Sequence, residues 1–253
     1  MDPDLAWERV GSLDPYFGVL SHEDFRADRL SPATLERFWA TGTTHVEGVL
    51  SDLEQTFGPL AHTRSAVDFG CGVGRLLRAM APHFDVVHGI DVSSTMLSEA
   101  AKNTEGAGLP NVRLHLSDAA LTGVPGDIGL IHSVLVFQHI PPARGLVLLH
   151  ALADRLGADG VGYIQVSLAV SGGPLRRAAR KATARSALLR RVARLVRPVA
   201  SPAAGFIQMY DYDLAEVLLT LRRAGVPRVI VRVQPRDDGG RDAILMFKKP
   251  AAS

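Results

Sequence analysis

The sequence has a single cysteine, Cys71, and few aromatic residues, which make up 6% of its 253 positions. One thiol excludes an internal disulfide and any zinc site that needs several cysteines. No uninterrupted apolar stretch approaches the roughly 18 residues that a membrane-spanning helix requires. The first residues, Met1–Asp4, carry acids where a secretory signal peptide would carry cations. With 47% hydrophobic residues, these absences favour a globular protein, which we expect to be soluble and cytoplasmic.

Acidic residues are absent from one long segment, since none occurs between Gly160 and Tyr210. The same segment holds nine cations, although the net charge of the whole chain is only +2. The segment is therefore strongly basic and the rest of the chain is acidic. Apolar residues at i, i+4, i+7 and i+8, with arginines between them, predict a helix with a cationic face. The apolar positions are Leu188, Val192, Leu195 and Val196, and the arginines are Arg190, Arg191, Arg194 and Arg197.

This basic segment is predicted to be a helical insert, residues 168–208, and several interpretations of it stay open. One is a lid that helps to bind an anionic small molecule, such as a carboxylate or a phosphate-bearing metabolite. Another is a helix that lies on a membrane surface, and a third is a solvated face that offsets the acidic body. Nucleic acid is the least favoured partner, because no basic stretch is interleaved with aromatic residues.

Short apolar runs alternate with helical stretches from residue 65 onward. Strands are predicted at Ser65–Phe69, Asp85–Ile90, Val112–Leu116, Asp127–Phe137, Gly160–Ser167, Val229–Val233 and Ala243–Phe247. Helices are predicted after the first strand to about Met80, and at Ser93–Lys102, Pro141–Leu156 and Tyr212–Ala224. This alternation predicts an α/β fold with a mostly parallel seven-stranded sheet and helices on both faces. The short turn before the last strand predicts an antiparallel strand at the C-terminal edge.

The first 60 residues are predicted to form a helical cap that opens with a loop. Ser31 is a suitable N-cap residue, and Pro32 suits the first helical position. Apolar residues from Leu35 to Leu53 then recur at helical spacing. Three glycines are candidates to break or end this helix: Gly42, Gly48 and Gly58.

A glycine-rich turn, Gly70-Cys71-Gly72-Val73-Gly74, follows the first strand and opens a helix. Glycines there allow a tight turn and bring backbone N–H groups close to a ligand, beside a helix N-terminus. Arg75 stands where a GxGxxG dinucleotide-binding turn has its last glycine, which disfavours a pyrophosphate ligand. By itself the turn is compatible with several nucleotide-type ligands.

Two acids follow at the ends of the next two strands. Asp91 lies 17 residues after Gly74, where a carboxylate can accept hydrogen bonds from ribose hydroxyls. It could equally cap the helix that follows. Asp118 can bind an exocyclic amine of adenine, or it could only shape a turn.

Taken together, these segments resemble the class I S-adenosylmethionine-dependent methyltransferases. Val67–Gly74 is similar to the first motif of that family, Gly89–Ser93 to the second and Ser117–Ala119 to the third. Asp127–Pro141 resembles the fourth strand and the segment that faces the methyl group. The resemblance is strongest over residues 63–168. It implies a Rossmann-like methyltransferase domain over residues 61–253, with residues 1–60 as its cap.

The resemblance implies S-adenosylmethionine as cofactor and a small-molecule acceptor, which we expect to be polar or anionic and methylated on oxygen. The predicted cofactor-binding residues are Asp68, Gly70, Cys71, Gly72, Gly74, Asp91, Val92, Asp118, Ala119, Val134 and Phe137. Asp68, Gly70 and Gly72 would line the methionine part, Asp91 the ribose, and Asp118 with Ala119 the adenine. No metal is predicted, because no histidines and carboxylates stand at metal-ligand spacing. Alternatives are a lipid-linked or protein acceptor, or another reaction that uses the same cofactor.

His139 follows the fourth strand and is the predicted general base, since imidazole titrates near neutral pH. Alternatively it packs beside the cofactor or caps the helix at Pro141. His45 is a second candidate if its helix closes over the pocket, but a solvated helix face is the favoured interpretation. Four aromatic residues are candidates to line the acceptor site, with packing favoured for each: Tyr16, Phe17, Tyr210 and Tyr212. Four further histidines are predicted to be structural: His22, His115, His132 and His150.

Overall fold

The computed structural model describes residues 2–60, 64–168, 207–236 and 239–251. Its strands are β1 (Ser65–Phe69), β2 (Val86–Asp91), β3 (Val112–Leu116), β4 (Ile128–Ser133), β5 (Leu156–Leu168), β6 (Val229–Pro235) and β7 (Arg241–Lys248). They form one sheet in the order β3-β2-β1-β4-β5-β7-β6, which confirms the predicted seven-stranded α/β fold. The helix predicted within the basic insert falls on residues 169–206, which lie outside the described residues.

The antiparallel strand is not at the edge of the sheet, so that part of the prediction is wrong. Strand β7 runs antiparallel to both of its neighbours and lies between β5 and β6. The different burial of β6 and β7 explains why β7 lies inside the sheet and β6 at its edge. Positions 242–247 of β7 are all buried, whereas most of β6 is exposed. A continuous apolar run suits an interior strand, and the more polar β6 takes the edge.

The helices are α1 (Pro3–Leu13), α2 (Pro15–Val19), α3 (Pro32–Phe57), α4 (Arg75–Met80), α5 (Ser94–Gly106), α6 (Pro142–Arg155) and α7 (Leu214–Arg223). The chain therefore opens with a helix rather than the expected loop, because the Asp2 side chain accepts the N–H of Asp4 as an N-cap. Ser31 caps α3 as predicted, with its hydroxyl accepting the N–H of Thr34.

Helix α3 continues through Gly42 and Gly48 and ends at Gly58. Gly42 has a packing role, since a Cβ there would lie 2.6 Å from the backbone oxygen of Arg75. Its missing side chain thus lets α3 approach the start of α4 closely. Helix α3 tolerates Gly42 and Gly48, which the sequence suggests as helix breakers, because its apolar face is buried against the domain.

Several element boundaries differ from the sequence predictions. Strand β4 ends at Ser133 rather than Phe137, because Leu135 adopts a positive φ of 65° and residues 137–139 form a 3₁₀ helix. Strand β5 begins directly after α6 and is longer than expected. Tyr212 is not helical, because it pairs with Leu168 as a bridge beside β5.

The sheet is covered on both faces, and alternate strand residues belong to different apolar clusters. Val67 and Ile131 pack in the cluster that includes α6 and α7. Ala66 and Leu130 pack in the cluster that includes α3 and α4. Because side chains alternate along a strand, Asp68 points to the same face as Ala66, toward α3. No helix in the described ranges is long and apolar enough to cross a membrane, and the cytoplasmic location stays a prediction.

Candidate cofactor site

The carboxyl ends of β1, β2 and β4 open into a cavity whose empty space, including its solvent-filled mouth, is about 940 Å³. It lies where the strand order reverses, between β1 and β4, which is the usual ligand position in open α/β sheets. Helices α1 and α2 supply one wall, with Pro3, Asp4, Trp7, Gly18 and Val19. The N-terminal segment is therefore part of the site.

Eight of the residues that the sequence predicts for the site line this cavity: Asp68, Gly70, Cys71, Gly72, Asp91, Val92, Val134 and His139. Four others lie outside the lining: Gly74, Asp118, Ala119 and Phe137. Gly74 is the N-cap residue of α4, and Phe137 is fully buried against Phe69 and Tyr212. The binding roles of all these residues stay predictions.

The glycine-rich turn shapes the wall of the cavity. Gly70 has a φ of 81°, and a Cβ there would lie 2.7 Å from Cγ1 of Val136. The N–H groups of Gly70 and Cys71 donate to the backbone oxygen of Ile90, at 2.7 and 3.0 Å. The N–H of Gly72 donates to Asp91 at 2.8 Å. These three N–H groups therefore have acceptors within the protein, and their contact with a ligand stays a prediction.

Asp91 is the acid at the end of β2. Its Oδ2 accepts the N–H of Gly72, and its Oδ1 accepts that of Ser93 at 3.0 Å. Ser93, not Asp91, is the N-cap of α5. Burial raises the pKa of Asp91 to about 6, although both N–H donors act to lower it. Each carboxylate oxygen keeps a second acceptor site, so Asp91 can still accept hydrogen bonds from a ligand in the cavity.

The segment after β3 contributes Ser117 to the cavity, but not the acid beside it. Asp118 is exposed, and its carboxylate accepts hydrogen bonds from the N–H of Ala120 and from the N–H and hydroxyl of Thr122. Asp118 thus stabilises a turn, which was the alternative interpretation of this residue. Its proposed contact with adenine stays a prediction, and Ser117 is the side chain of this segment that reaches the cavity.

Three buried side-chain polar atoms lack a hydrogen-bond partner in the described part of the chain: Arg75 Nε, Ser117 Oγ and His139 Nδ1. All three residues line the cavity. An unsatisfied buried polar group costs about 1–3 kcal/mol, and native proteins keep few of them. Their convergence on one cavity indicates a polar ligand that completes their hydrogen bonds.

His139 lies after β4, with its ring centroid 5.0 Å from that of Trp7 in an edge-to-face contact. Its Nε2 lies 3.0 Å from the side-chain amide of Gln138. The other amide atom of Gln138 lies 3.3 Å from the hydroxyl of Ser167, which is also 2.8 Å from a carboxylate oxygen of Asp242.

The amide nitrogen of Gln138 faces Nε2 of His139, and its oxygen faces the hydroxyl of Ser167. The same hydroxyl lies 2.8 Å from Asp242 and accepts a hydrogen bond from Nη1 of Arg236 at 2.6 Å. The two orientations of the Gln138 amide correspond to the two tautomers of the His139 ring. Nδ1 is the ring nitrogen without a hydrogen-bond partner in the described part of the chain.

Asp68 is bonded to a chain of two histidines that reaches the N-terminal cap. His132 lies opposite Asp68 on β4, and its Nδ1 is 2.9 Å from Asp68 Oδ1. The other ring nitrogen of His132 is 2.9 Å from Nε2 of His45 on α3. The side chains of His132 and Asp68 are 0% and 3% exposed. The favoured interpretation of His45 as a solvated residue is therefore wrong, because α3 packs on the sheet.

Neither of these histidines lines the cavity, so His45 is not positioned to take a proton from a ligand there. Burial, with His132 and Arg75 nearby, lowers the pKa of His45 to about 4, which keeps the ring neutral at pH 7. A second histidine pair, His88 and His115, lies on β2 and β3 with ring nitrogens 2.9 Å apart. Across the described ranges, no three histidine, cysteine, aspartate or glutamate side chains are grouped to hold a metal ion.

Sequence reasoning missed Arg75 as a residue of the site, although it directly follows the glycine-rich turn. Its side chain is buried in the cavity wall, and Nη1 lies 3.3 Å from the Thr41 hydroxyl of α3. Burial lowers the pKa of the guanidinium, while the nearby Asp68 opposes that change. The wall therefore presents a cation and an anion, Arg75 and Asp68, near one another.

Trp7 and Arg144 were also missed, because nothing in the sequence connects α1 with α6. The aromatic residues that the sequence did nominate lie outside the cavity lining. The hydroxyl of Tyr16 is within 3.0 Å of Glu99 and Asn103, and that of Tyr212 donates to the backbone of Ile140. These contacts agree with the packing role that was favoured for them.

Comparison with known proteins identifies the domain. Residues 66–160 match the family model of a methyltransferase domain. A stretch of 105 residues is 32% identical to the ubiquinone biosynthesis O-methyltransferase of Methylococcus capsulatus, and it covers 40% of this chain and 43% of that protein. The match thus spans less than half the length of this curated relative.

Solved structures extend the likeness beyond the matched segment. The magnesium protoporphyrin IX methyltransferase of Synechocystis, with bound S-adenosylmethionine, superposes with a TM-score of 0.55 at 17% identity, covering 95% of this chain and 97% of that one. The phosphoethanolamine N-methyltransferase 2 of Haemonchus contortus has a TM-score of 0.55 at 15% identity, covering 80% of this chain and 52% of that one.

At such identities the structural likeness establishes the fold, while the sequence match establishes the domain. The match confirms the resemblance drawn from the sequence motifs over residues 66–160, and with it the cofactor that the resemblance implies. Residues 66–160 match the methyltransferase-domain family, and the described chain has the fold of methyltransferases that bind S-adenosylmethionine.

Proposed function

We propose that this chain transfers a methyl group from S-adenosylmethionine to an oxygen of a small polar or anionic acceptor. The observation that supports this most directly is the convergence of Arg75 Nε, Ser117 Oγ and His139 Nδ1 on the cavity that Asp68 and Asp91 also line. A ligand with a charged amino-acid end, a ribose and an adenine would offer partners to Arg75 and Ser117, and the hydroxyl of the acceptor would be the partner of His139.

The side chains that line the cavity match the methionine, ribose and adenine parts of S-adenosylmethionine. Asp68 and Arg75 would pair with the amino and carboxylate groups of the methionine part. Asp91 would accept hydrogen bonds from the ribose hydroxyls, and Ser117 would bond the adenine. Burial raises the pKa of the Cys71 thiol well above its usual value, so Cys71 acts only as an apolar part of the wall.

When bound, S-adenosylmethionine supplies an electrophilic methyl group on a sulfonium centre. The protein has to align the acceptor oxygen, exclude water and remove the hydroxyl proton. Helix α1 covers the cavity with Trp7, which serves the exclusion of water. His139 is the group proposed to remove the proton, because its Nδ1 has no partner among the described residues and the residue lines the cavity. This role requires the tautomer that is protonated on Nε2, with the Gln138 amide turned so that its oxygen accepts that N–H.

The imidazole is in the unprotonated form that can accept a proton at neutral pH. Burial lowers the pKa of His139 to about 4, so the ring is neutral and its lone pair is available at every pH above about 5. Ionisation of His139 is therefore expected to cause no change in the rate of methyl transfer between pH 6 and 8. A decline that follows an ordinary histidine pKa near 6.5 would contradict this assignment.

Calorimetry with the purified chain tests the proposed function. S-adenosylmethionine and S-adenosylhomocysteine should both bind, whereas NADH, which carries a pyrophosphate, should bind at least ten-fold more weakly. Incubation with cofactor labelled in the methyl group should then transfer label to a hydroxylated small molecule in a metabolite extract. Absence of binding by both cofactor forms would refute the proposal, and label found only on protein or lipid would refute the small-molecule acceptor.

Replacement of His139 by alanine is expected to lower the turnover number by about 100-fold, the usual contribution of a positioned general base. The affinity for S-adenosylhomocysteine should change less than three-fold. His150→Ala is a matched control, since this histidine is exposed on α6 and should leave turnover unchanged. Equal turnover in His139→Ala and in the control would remove His139 from the mechanism.

Substitution of Gln138 tests the tautomer directly. Nitrogen NMR of the His139 ring should show a protonated Nε2 and an unprotonated Nδ1 in the wild type. Gln138→Glu keeps an oxygen acceptor for Nε2 and should preserve both the tautomer and most of the turnover. Gln138→Leu removes that acceptor and should give a mixture of tautomers with reduced turnover, and an unchanged spectrum would contradict the hydrogen-bond assignment.

A further inference from the structure

An ion pair between α1 and α6 lies in the wall of the cavity. Arg144 Nη1 is 2.7 Å from Asp4 Oδ1, and both residues line the cavity. Their side chains are 34% and 39% exposed. The hydrogen bond that Arg144 donates to Asp4 raises the pKa of the guanidinium, which therefore stays charged at this position.

Helix α1 is tied down on two sides of the cavity. At one side is the Asp4–Arg144 pair. At the other side, Glu8 accepts hydrogen bonds from the hydroxyls of Ser94 and Thr95 at the start of α5. The helix thus bridges α5 and α6, and the ion pair is its attachment to α6.

The surroundings of Arg144 favour a flat, partly apolar ligand. Trp7 and His139 present aromatic rings in edge-to-face contact, and Ile140 and Leu148 add aliphatic groups to the same wall. Aromatic and aliphatic walls with one cation recognise a ring that carries an anionic group.

The ion pair itself is easily exchanged. Partly exposed pairs of this kind contribute little to stability, because water solvates both charges when they separate. Asp4 also loses little when it is released, since a carboxylate in the first turn of α1 still interacts favourably with the helix dipole. A ligand carboxylate that also buries apolar surface can therefore replace Asp4 on Arg144.

We propose that Arg144 is the anion-binding residue of the acceptor site, that Asp4 occupies it in the absence of acceptor, and that the acceptor is a hydroxylated aromatic carboxylate. This rests on the proposed function, since the acceptor hydroxyl is placed beside His139. The Asp4 carboxylate acts as a stand-in for the ligand carboxylate, so the two compete for the same guanidinium.

The experiment uses the full chain saturated with S-adenosylhomocysteine and compares two probes of equal shape. 4-Hydroxybenzoate carries the carboxylate, and 4-hydroxybenzamide replaces it with a neutral group. Calorimetry at pH 7.5 should give about ten-fold tighter binding of the benzoate, the usual value of a charge-assisted hydrogen bond. In Arg144→Gln this preference should disappear, while Asp4→Asn should strengthen benzoate binding about three-fold and leave benzamide binding unchanged.

Arg9→Gln is the matched control, because it removes an exposed cation from the same helix α1 and should leave the preference intact. Equal affinity of the two probes, or no measurable binding of either, would overturn the proposal. A large loss of S-adenosylhomocysteine affinity in Arg144→Gln would also overturn it, by assigning Arg144 to the cofactor. Failure of wild-type protein to bind S-adenosylhomocysteine would instead refute the proposed function itself.

Discussion

Replacement of Asp91 by asparagine is expected to weaken the binding of S-adenosylmethionine by about 100-fold. Two hydrogen bonds from ribose hydroxyls to a charged acceptor contribute about 1.5–3 kcal/mol each, and a neutral amide retains only part of this. The single amide oxygen of asparagine can still accept the N–H of Gly72 and so hold the turn, while the N–H of Ser93 loses its acceptor. Calorimetry measures the change in affinity, and the unfolding transition reports whether the fold is retained.

The pH dependence separates the charge of Asp91 from its shape. Because burial raises the pKa of this carboxyl to about 6, it becomes protonated as the pH falls through 6 and then loses an acceptor for the ribose. Cofactor affinity should therefore be constant above pH 7 and fall steadily between pH 6.5 and 5. The Asp91→Asn variant should show no such decline.

Asp85→Asn provides the control for this prediction. Asp85 is exposed just before the opposite end of β2, so its substitution removes one carboxylate without touching the cavity. The control should bind the cofactor as the wild type does. Equal affinities in Asp91→Asn and Asp85→Asn, or an identical pH profile in wild type and Asp91→Asn, would contradict the ribose role.

The lining of the candidate site was largely predictable from sequence because much of it lies at strand ends. Strands Ser65–Phe69 and Val86–Asp91 are short apolar runs, and polar residues that terminate such runs reach one edge of a parallel sheet. The sequence alone therefore predicts that Asp68, Gly72 and Asp91 lie at the same edge of the sheet. Asp118 shows the limit of this reasoning, since a turn directly after a strand can rotate its side chain away from the edge.

The remaining part of the site depends on contacts between distant segments, and the sequence carries no signal for these. Asp68 and His132 are neighbours only because β1 pairs with β4, a register between strands 64 positions apart. His45 contacts His132 because α3 packs on this face of the sheet. The amphipathic pattern of α3 predicts a buried face, but it does not indicate which element that face packs against. The same holds for Asp4 and Arg144, which lie 140 positions apart.

Removal of the contact between Asp68 and His132 is the second change for which we expect a large effect, a loss of stability. Replacement of His132 by leucine is expected to lower the free energy of unfolding by about 3–5 kcal/mol, the usual cost of a buried charge that loses its partner. The volume of the side chain is nearly conserved, so packing alone explains little of this loss. Urea unfolding at pH 7.5 measures it, with binding of S-adenosylhomocysteine as a second readout, because Asp68 also lines the cavity.

Two further variants distinguish the buried charge from the hydrogen bonds. His45→Leu removes only the bond between the two imidazoles and should cost about 1 kcal/mol, the net value of a neutral hydrogen bond. Asp68→Asn combined with His132→Leu removes the uncompensated charge and should be more stable than His132→Leu alone. If the double variant were instead less stable, or if His45→Leu cost as much as His132→Leu, then the contact between Asp68 and His132 would not be the source of the loss. The expected order would make the histidine on β4 the hydrogen-bond partner on which a buried carboxylate of the candidate site depends.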